Sequence, residues 1–183
     1  MEDLFENGDN DVKPDVVTYN ALLNAYGWSN DTPNKSTKCV EVYRKMKSLY
    51  ESGTNLDAKP DIITCNSILN ACAFEDTASN PERAAEVMQN VVTIFEEFQS
   101  STPTYGCPNY LTYAHVLLAI SRHMPMNSRR NELAEATFWQ VGTGVAPCCF
   151  FKVISVCTDC LMSKLSRFSL SLCVIVLSKR VSK

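Results

Sequence analysis

The sequence predicts an all-α protein, an α-solenoid of helix–turn–helix repeats with two units complete and a third partial. Three observations carry that prediction. A Pro-Asp or Pro-Asn step recurs at Pro14, Pro60 and Pro108, with spacings of 46 and 48 residues. Each step opens a stretch whose apolar residues fall at helical spacing, and a second helical stretch follows it across a polar loop. Only 6 of 183 residues are glycine, which favours helices over turn-rich β structure.

The first helix of each unit reads PDVVTYNALLNAY, PDIITCNSILNAC and PNYLTYAHVLLAI. Asp15, Asp61 and Asn109 stand where a helix cap is needed, with a short side chain able to accept from the first unpaired backbone N–H groups. The buried face is predicted from the i, i+3, i+4, i+7 stripe. It comprises Tyr19, Leu22, Leu23 and Tyr26, then Cys65, Ile68, Leu69 and Cys72, then Tyr113, Val116, Leu117 and Ile120. The second helices repeat the pattern at Cys39, Val42, Tyr43 and Met46, at Val91, Ile94, Phe95 and Phe98, and at Ala134, Thr137, Phe138 and Val141. Between the helices lie polar turn-rich segments, residues 29–34, 76–81 and 124–128. One such hairpin cannot bury its stripe alone, so the units are expected to stack on one another.

This gives an acidic N-terminal extension over residues 1–11, a first repeat over 12–61, a second over 62–109 and a partial third over 110–150. Residues 151–183 form an irregular basic tail rich in Cys and Ser, in which the repeat phase is lost. That loss is expected of a chain cut short of a longer array. The opening Met1-Glu2-Asp3-Leu4-Phe5-Glu6 is acidic and is read as neither a secretory signal nor a transit peptide. The run Leu170 to Leu177 is too short to span a bilayer, so no membrane partner is expected. The nine cysteines are odd in number and scattered, and most read as small apolar residues in a reducing compartment.

No catalytic residue, cofactor or metal site is expected. The sequence has no Gly-rich phosphate loop, no HExxH and no GxSxG. Cys157 and Cys160 form one isolated pair, whereas a structural zinc site needs a second pair or matched histidines. His115 and His123 read as structural residues.

VVTYNALLNAY and IITCNSILNAC, each preceded by Lys-Pro-Asp, resemble the first helix of the pentatricopeptide repeat family. CVEVYRKMKSLYESG and VVTIFEEFQSSTPTYG resemble its second helix, and the resemblance covers residues 12 to 141. The Trp-Leu-Gly-Tyr pattern and period of about 34 residues of tetratricopeptide repeats are missing. The units are longer than the family norm, by an excess expected to fall in the polar loops.

The resemblance implies single-stranded RNA as partner, read one base per repeat by two or three side chains. It pairs Asn20 with Asp61 in the first unit and Asn66 with Asn109 in the second. It implies uracil for the first pair and cytosine, or less strictly uracil, for the second. Val17, Ile63 and Leu111 match the apolar position that the family sandwiches between bases, whereas Ala114 stands where the third reader would be. The family's usual setting implies organellar RNA processing, stability or translation, in a mitochondrion or chloroplast. A protein-interaction α-solenoid, taking a peptide on the same surface, is the alternative. The phased Asn residues favour RNA and the net charge of −3 favours the scaffold, because phosphate neutralisation usually supplies much of the affinity for nucleic acid.

Overall fold

A computed structural model describes residues 13–29, 32–101, 104–125 and 127–144, with side chains up to residue 137. The N-terminal extension, the tail and the five cysteines from Cys148 onward lie outside the described residues. Among the described residues there are six α-helices, α1 (Val16–Trp28), α2 (Lys35–Glu51), α3 (Ile62–Ala73), α4 (Pro81–Ser100), α5 (Tyr110–His123) and α6 (Ser128–Gly144), with a short 3-10 turn at Leu56–Ala58 between α2 and α3. No strand occurs among the described residues.

Each first helix starts on its expected cap. Asp15 accepts from the Thr18 backbone N–H, Asp61 from that of Thr64, and Asn109 from those of Leu111 and Thr112. In α3 and α5 the Thr hydroxyl also accepts from the N–H of the cap residue, closing a capping box. The second helix of the first unit begins differently. Asn34, ahead of α2, adopts a left-handed conformation and makes no side-chain cap. The free N-terminus of α2 is instead taken by the next unit, as Glu75 Oε2 accepts from Ser36 N at 2.9 Å.

The first helices α1, α3 and α5 stack in sequence, and each also packs on its own second helix. α2 packs on α4, and α4 packs on α5. Gly27 lets α1 and α3 approach closely, since a Cβ there would lie 3.3 Å from Asn70 Nδ2 and 3.8 Å from Ala71 Cβ. Tyr19, Leu23, Met46, Ile68, Leu69, Val87, Ile94 and Ile120 are buried in one continuous core that crosses the units. Aromatic rings close its lower edge, with Phe98 5.5 Å from Tyr43 and 5.7 Å from Tyr105 between centroids. Phe95 meets Tyr113 edge-on at 5.5 Å, which ties α4 to α5.

One detail differs from the sequence reading. Leu22, placed on the buried stripe, is exposed, whereas Tyr19 and Leu23 on either side of it are buried. The second helices are longer than the first, α2 having 17 residues and α4 20 against 13 and 12 in α1 and α3. Of the third unit's second-helix stripe, Phe138 and Val141 have side chains outside the described residues.

At the far end of the first helices, each unit reaches back to the one before it. Glu75 takes Ser36 N of the first unit, and at the matching position of the third unit His123 takes two groups of the second. The Cys72 carbonyl, 2.8 Å from His123 Nε2, can only accept, so Nε2 carries the proton. Nδ1 lies 2.8 Å from the Thr77 hydroxyl, which donates to it when the ring is neutral. Burial favours that neutral form and pushes the His123 pKa below the ordinary histidine value. Burial pushes His115 down to about 4.

Both shifts set the sign of the pH dependence. The unfolded chain binds protons at these two sites at higher pH than the folded chain does. Their contribution to stability is therefore complete above the ordinary value of 6.5 and is lost as pH falls below it, in the case of His115 toward about 4. Urea unfolding should show stability declining steadily from pH 7 to pH 5, with a shallower decline in His115→Gln. Equal slopes in the two proteins would show that His115 does not titrate in this way.

Candidate nucleic-acid interface

The N-terminal ends of the first helices bring together the residues singled out by the repeat phase. Asn20 sits one turn into α1, and the start of α3 packs against it, leaving its side chain 7% exposed. Its amide lies between two groups of the next unit, donating from Nδ2 to Asp61 Oδ1 at 3.2 Å and accepting at Oδ1 from the Thr64 hydroxyl at 2.8 Å. The second unit repeats the arrangement. Asn66 Nδ2 donates to Asn109 Oδ1 at 3.4 Å, and the Thr112 hydroxyl donates to Asn66 Oδ1 at 2.7 Å.

The orientation of each amide follows from its neighbours. Asp61 Oδ1 already receives the Thr64 backbone N–H at 2.9 Å and, as a carboxylate, can only accept, so the Asn20 group facing it must be the NH2. Asn109 Oδ1 receives the Leu111 and Thr112 backbone N–H groups at 3.0 and 3.2 Å, which identifies that atom as oxygen. Asn66 must therefore also turn its NH2 toward the cap and its carbonyl toward the threonine.

These bonds leave different capacities at the two positions. Beside Asn20, one Nδ2–H and the Asp61 Oδ2 remain, a donor next to an acceptor. Beside Asn66, one Nδ2–H and the whole Asn109 NH2 remain, so the residue that caps α5 offers donors where Asp61 offers an acceptor. Asp61, Asn66 and Asn109 are partly exposed and reachable. Val17 is 68% exposed, Ile63 54% and Leu111 38%, so all three present apolar surface beside these polar pairs. Ala114, at the third unit's equivalent of Asn20, is buried and carries no polar group.

Sequence reasoning named both Asn–Asx pairs but missed Thr64 and Thr112 as their second contact. The signal was present in the Thr recurring at residues 18, 64 and 112, and it was read only as part of the repeat. Thr18 shows the alternative state. It is exposed, and its hydroxyl donates to its own cap, Asp15 Oδ1, at 2.8 Å. A further inter-unit contact, Ser67 Oγ to Asn24 Oδ1 at 3.0 Å, extends the polar seam one turn along α1 and α3.

Among the described residues no group of His, Cys, Asp and Glu side chains is placed to hold a metal ion. No described helix is long and apolar enough to cross a membrane. The free cysteines Cys39, Cys65 and Cys72 are buried, and burial pushes the Cys39 thiol up to about 12. Comparison with curated proteins and with solved structures gave no match. Residues 4–49, however, match the model of the pentatricopeptide repeat domain, a match that takes in the whole of α1 and most of α2. Repeats of this kind are helical hairpins that bind RNA, and their proteins are generally not enzymes. With the capped first helix, its partner helix and the family match on the same residues, the chain carries a pentatricopeptide repeat.

Proposed function

We propose that this chain is a sequence-selective reader of single-stranded RNA. In this reading Asn20 with Asp61 takes uracil, Asn66 with Asn109 takes cytosine, and Val17, Ile63 and Leu111 lie between successive bases. The supporting observation is the difference in unused hydrogen-bonding capacity at the two pairs. A donor beside an acceptor complements a uracil carbonyl and its adjacent N3–H. Two donors complement the adjacent N3 and O2 acceptors of cytosine, whereas uracil would turn its N3–H against an N–H. The exposed Val17, Ile63 and Leu111 supply apolar faces for the base planes. The family's usual setting makes organellar RNA processing, stability or translation the proposed context, in a mitochondrion or chloroplast.

Two pairs read two bases, and each matched contact contributes roughly 1–3 kcal/mol of discrimination. Association itself costs on the order of 4–15 kcal/mol. The chain alone should therefore bind RNA weakly, with preferences visible in competition rather than in raw affinity. Asp61→Asn isolates the mechanism, because Asn still caps α3 but replaces the acceptor with a donor. Preference at that one nucleotide should move from uracil toward cytosine. Asn20→Thr should move it from uracil toward guanine, as the family pairing of Thr with Asp implies. Competition among RNAs differing at a single position reads both shifts. An unchanged base ranking in Asp61→Asn would favour the protein-interaction scaffold.

A further inference from the structure

We propose that Thr64 and Thr112 are positioning residues for base selectivity, each holding the amide of the preceding unit's Asn in one orientation. The inference rests on the RNA-reading proposal and adds to it the residues that make an Asn amide selective. An Asn side chain presents a carbonyl on one side and an NH2 on the other, and half a turn about its last bond exchanges them. An amide free to turn can donate to one base and accept from another, so it discriminates poorly. Selectivity requires something to lock it.

The threonines are placed for that task and for no direct one. Both are fully buried, so neither can touch RNA. Each hydroxyl accepts from its own cap residue's N–H, at 3.1 Å for Thr64 and 3.0 Å for Thr112. Its one proton then has two acceptors in reach, the neighbouring Asn carbonyl at 2.8 and 2.7 Å and its own cap's Oδ1 at 3.0 and 3.3 Å, and the Asn carbonyl is the nearer in both units. One hydroxyl thereby couples the start of a helix to the side chain of the helix before it. Thr18, which contacts no such Asn among the described residues, donates to its own cap, Asp15 Oδ1, at 2.8 Å.

The two sites differ in how far they depend on the threonine. Asn20 is also held by a carboxylate, at 3.2 Å, and a charged acceptor fixes the NH2 strongly. Asn66 is held on that side only by the neutral Asn109 oxygen at 3.4 Å, near the limit of a hydrogen bond. Thr112 is therefore the principal lock on Asn66, and Thr64 is an auxiliary one on Asn20. The graded dependence is an internal control.

The experiment compares the full chain with Thr112→Val, Thr64→Val and Thr112→Ser. Valine keeps the branched shape and removes the hydroxyl, whereas serine restores the hydroxyl. Side-chain amide NMR, by heteronuclear NOE at the Asn66 and Asn20 NH2 groups, requires no RNA. Thr112→Val should make the Asn66 amide mobile, Thr112→Ser should return it to parental rigidity, and Thr64→Val should affect Asn20 less. In competition binding, the cytosine-over-uracil ratio at the Asn66 position should fall roughly fivefold in Thr112→Val, the factor carried by one net hydrogen bond, and recover in Thr112→Ser. An Asn66 amide as rigid in Thr112→Val as in the parent overturns the inference, as does a parental base ratio that survives the substitution. A parent chain that shows no base preference overturns the RNA-reading proposal instead, and the amide dynamics still decide whether Thr112 is the lock.

Discussion

Glu75→Ala is expected to lower the unfolding free energy by about 3 kcal/mol or more, because removing one partner of a buried ion pair typically costs about 3–5 kcal/mol. Glu75 and Arg83 have side chains 6% and 11% exposed, with Arg83 Nε 2.6 Å from Glu75 Oε1. Arg83 further donates to the Ser36 hydroxyl at 3.1 Å and the Thr37 hydroxyl at 2.9 Å, so one cluster joins both units. Burial alone would raise the Glu75 pKa, but the bonds from Arg83 and Ser36 outweigh it and hold the carboxyl below its usual range. The alanine variant strands a guanidinium and the uncapped N-terminus of α2 together. Arg83 keeps its contact with Glu86 at 2.6 Å, which places the expected loss at the lower end of the range. Urea denaturation of parent and variant at pH 7 measures it. A loss below about 1 kcal/mol, the value of a surface ion pair, would show that water replaces the carboxylate without cost.

Phe98→Ala should be comparably severe. Deleting a buried phenylalanine side chain costs about 3–5 kcal/mol, through lost transfer energy and the cavity left behind. Phe98 is fully buried and touches the rings of Tyr43 and Tyr105, which come from α2 and from the segment leading to α5. The cavity would therefore open between units, where α2, α4 and the approach to α5 meet. Phe98→Leu should cost far less, because it retains most of the volume. Thermal unfolding followed by circular dichroism distinguishes the two. A Leu variant as unstable as the Ala variant would point to ring geometry rather than volume as the source.

The caps and the helical period were legible because they are local. A Pro-Asp step and an apolar stripe need nothing beyond their own helix, and Asp15, Asp61 and Asn109 cap where the sequence places them. The Asn–Asx pairing came from family resemblance, and the structure places those side chains within hydrogen-bonding distance across the unit boundary. The clasps formed by Glu75 and His123 were not legible. Their sequence neighbourhoods are unalike, and their partners lie in the preceding unit at a register that only stacking defines. The same reason hid the second role of Thr64 and Thr112, since capping-box spacing accounts for each Thr within its own helix and gives no hint that the hydroxyl reaches outward. Leu22 failed in the opposite direction, because the stripe is wider than the contact α1 makes.

The long second helices alter what a repeat of this chain measures. Successive first helices lie side by side, so the step from Asn20 to Asn66 is one helix width, about 8–10 Å between axes. That step is independent of the number of residues spent returning through α2 and its loop. The extra residues of α2 and α4 lie along the helices, across the direction in which units accumulate. Such an array behaves as a ruler broadened without shifting its graduations. Its outer margin is free to vary in length and charge, while the gauge on which any bound strand is registered stays constant.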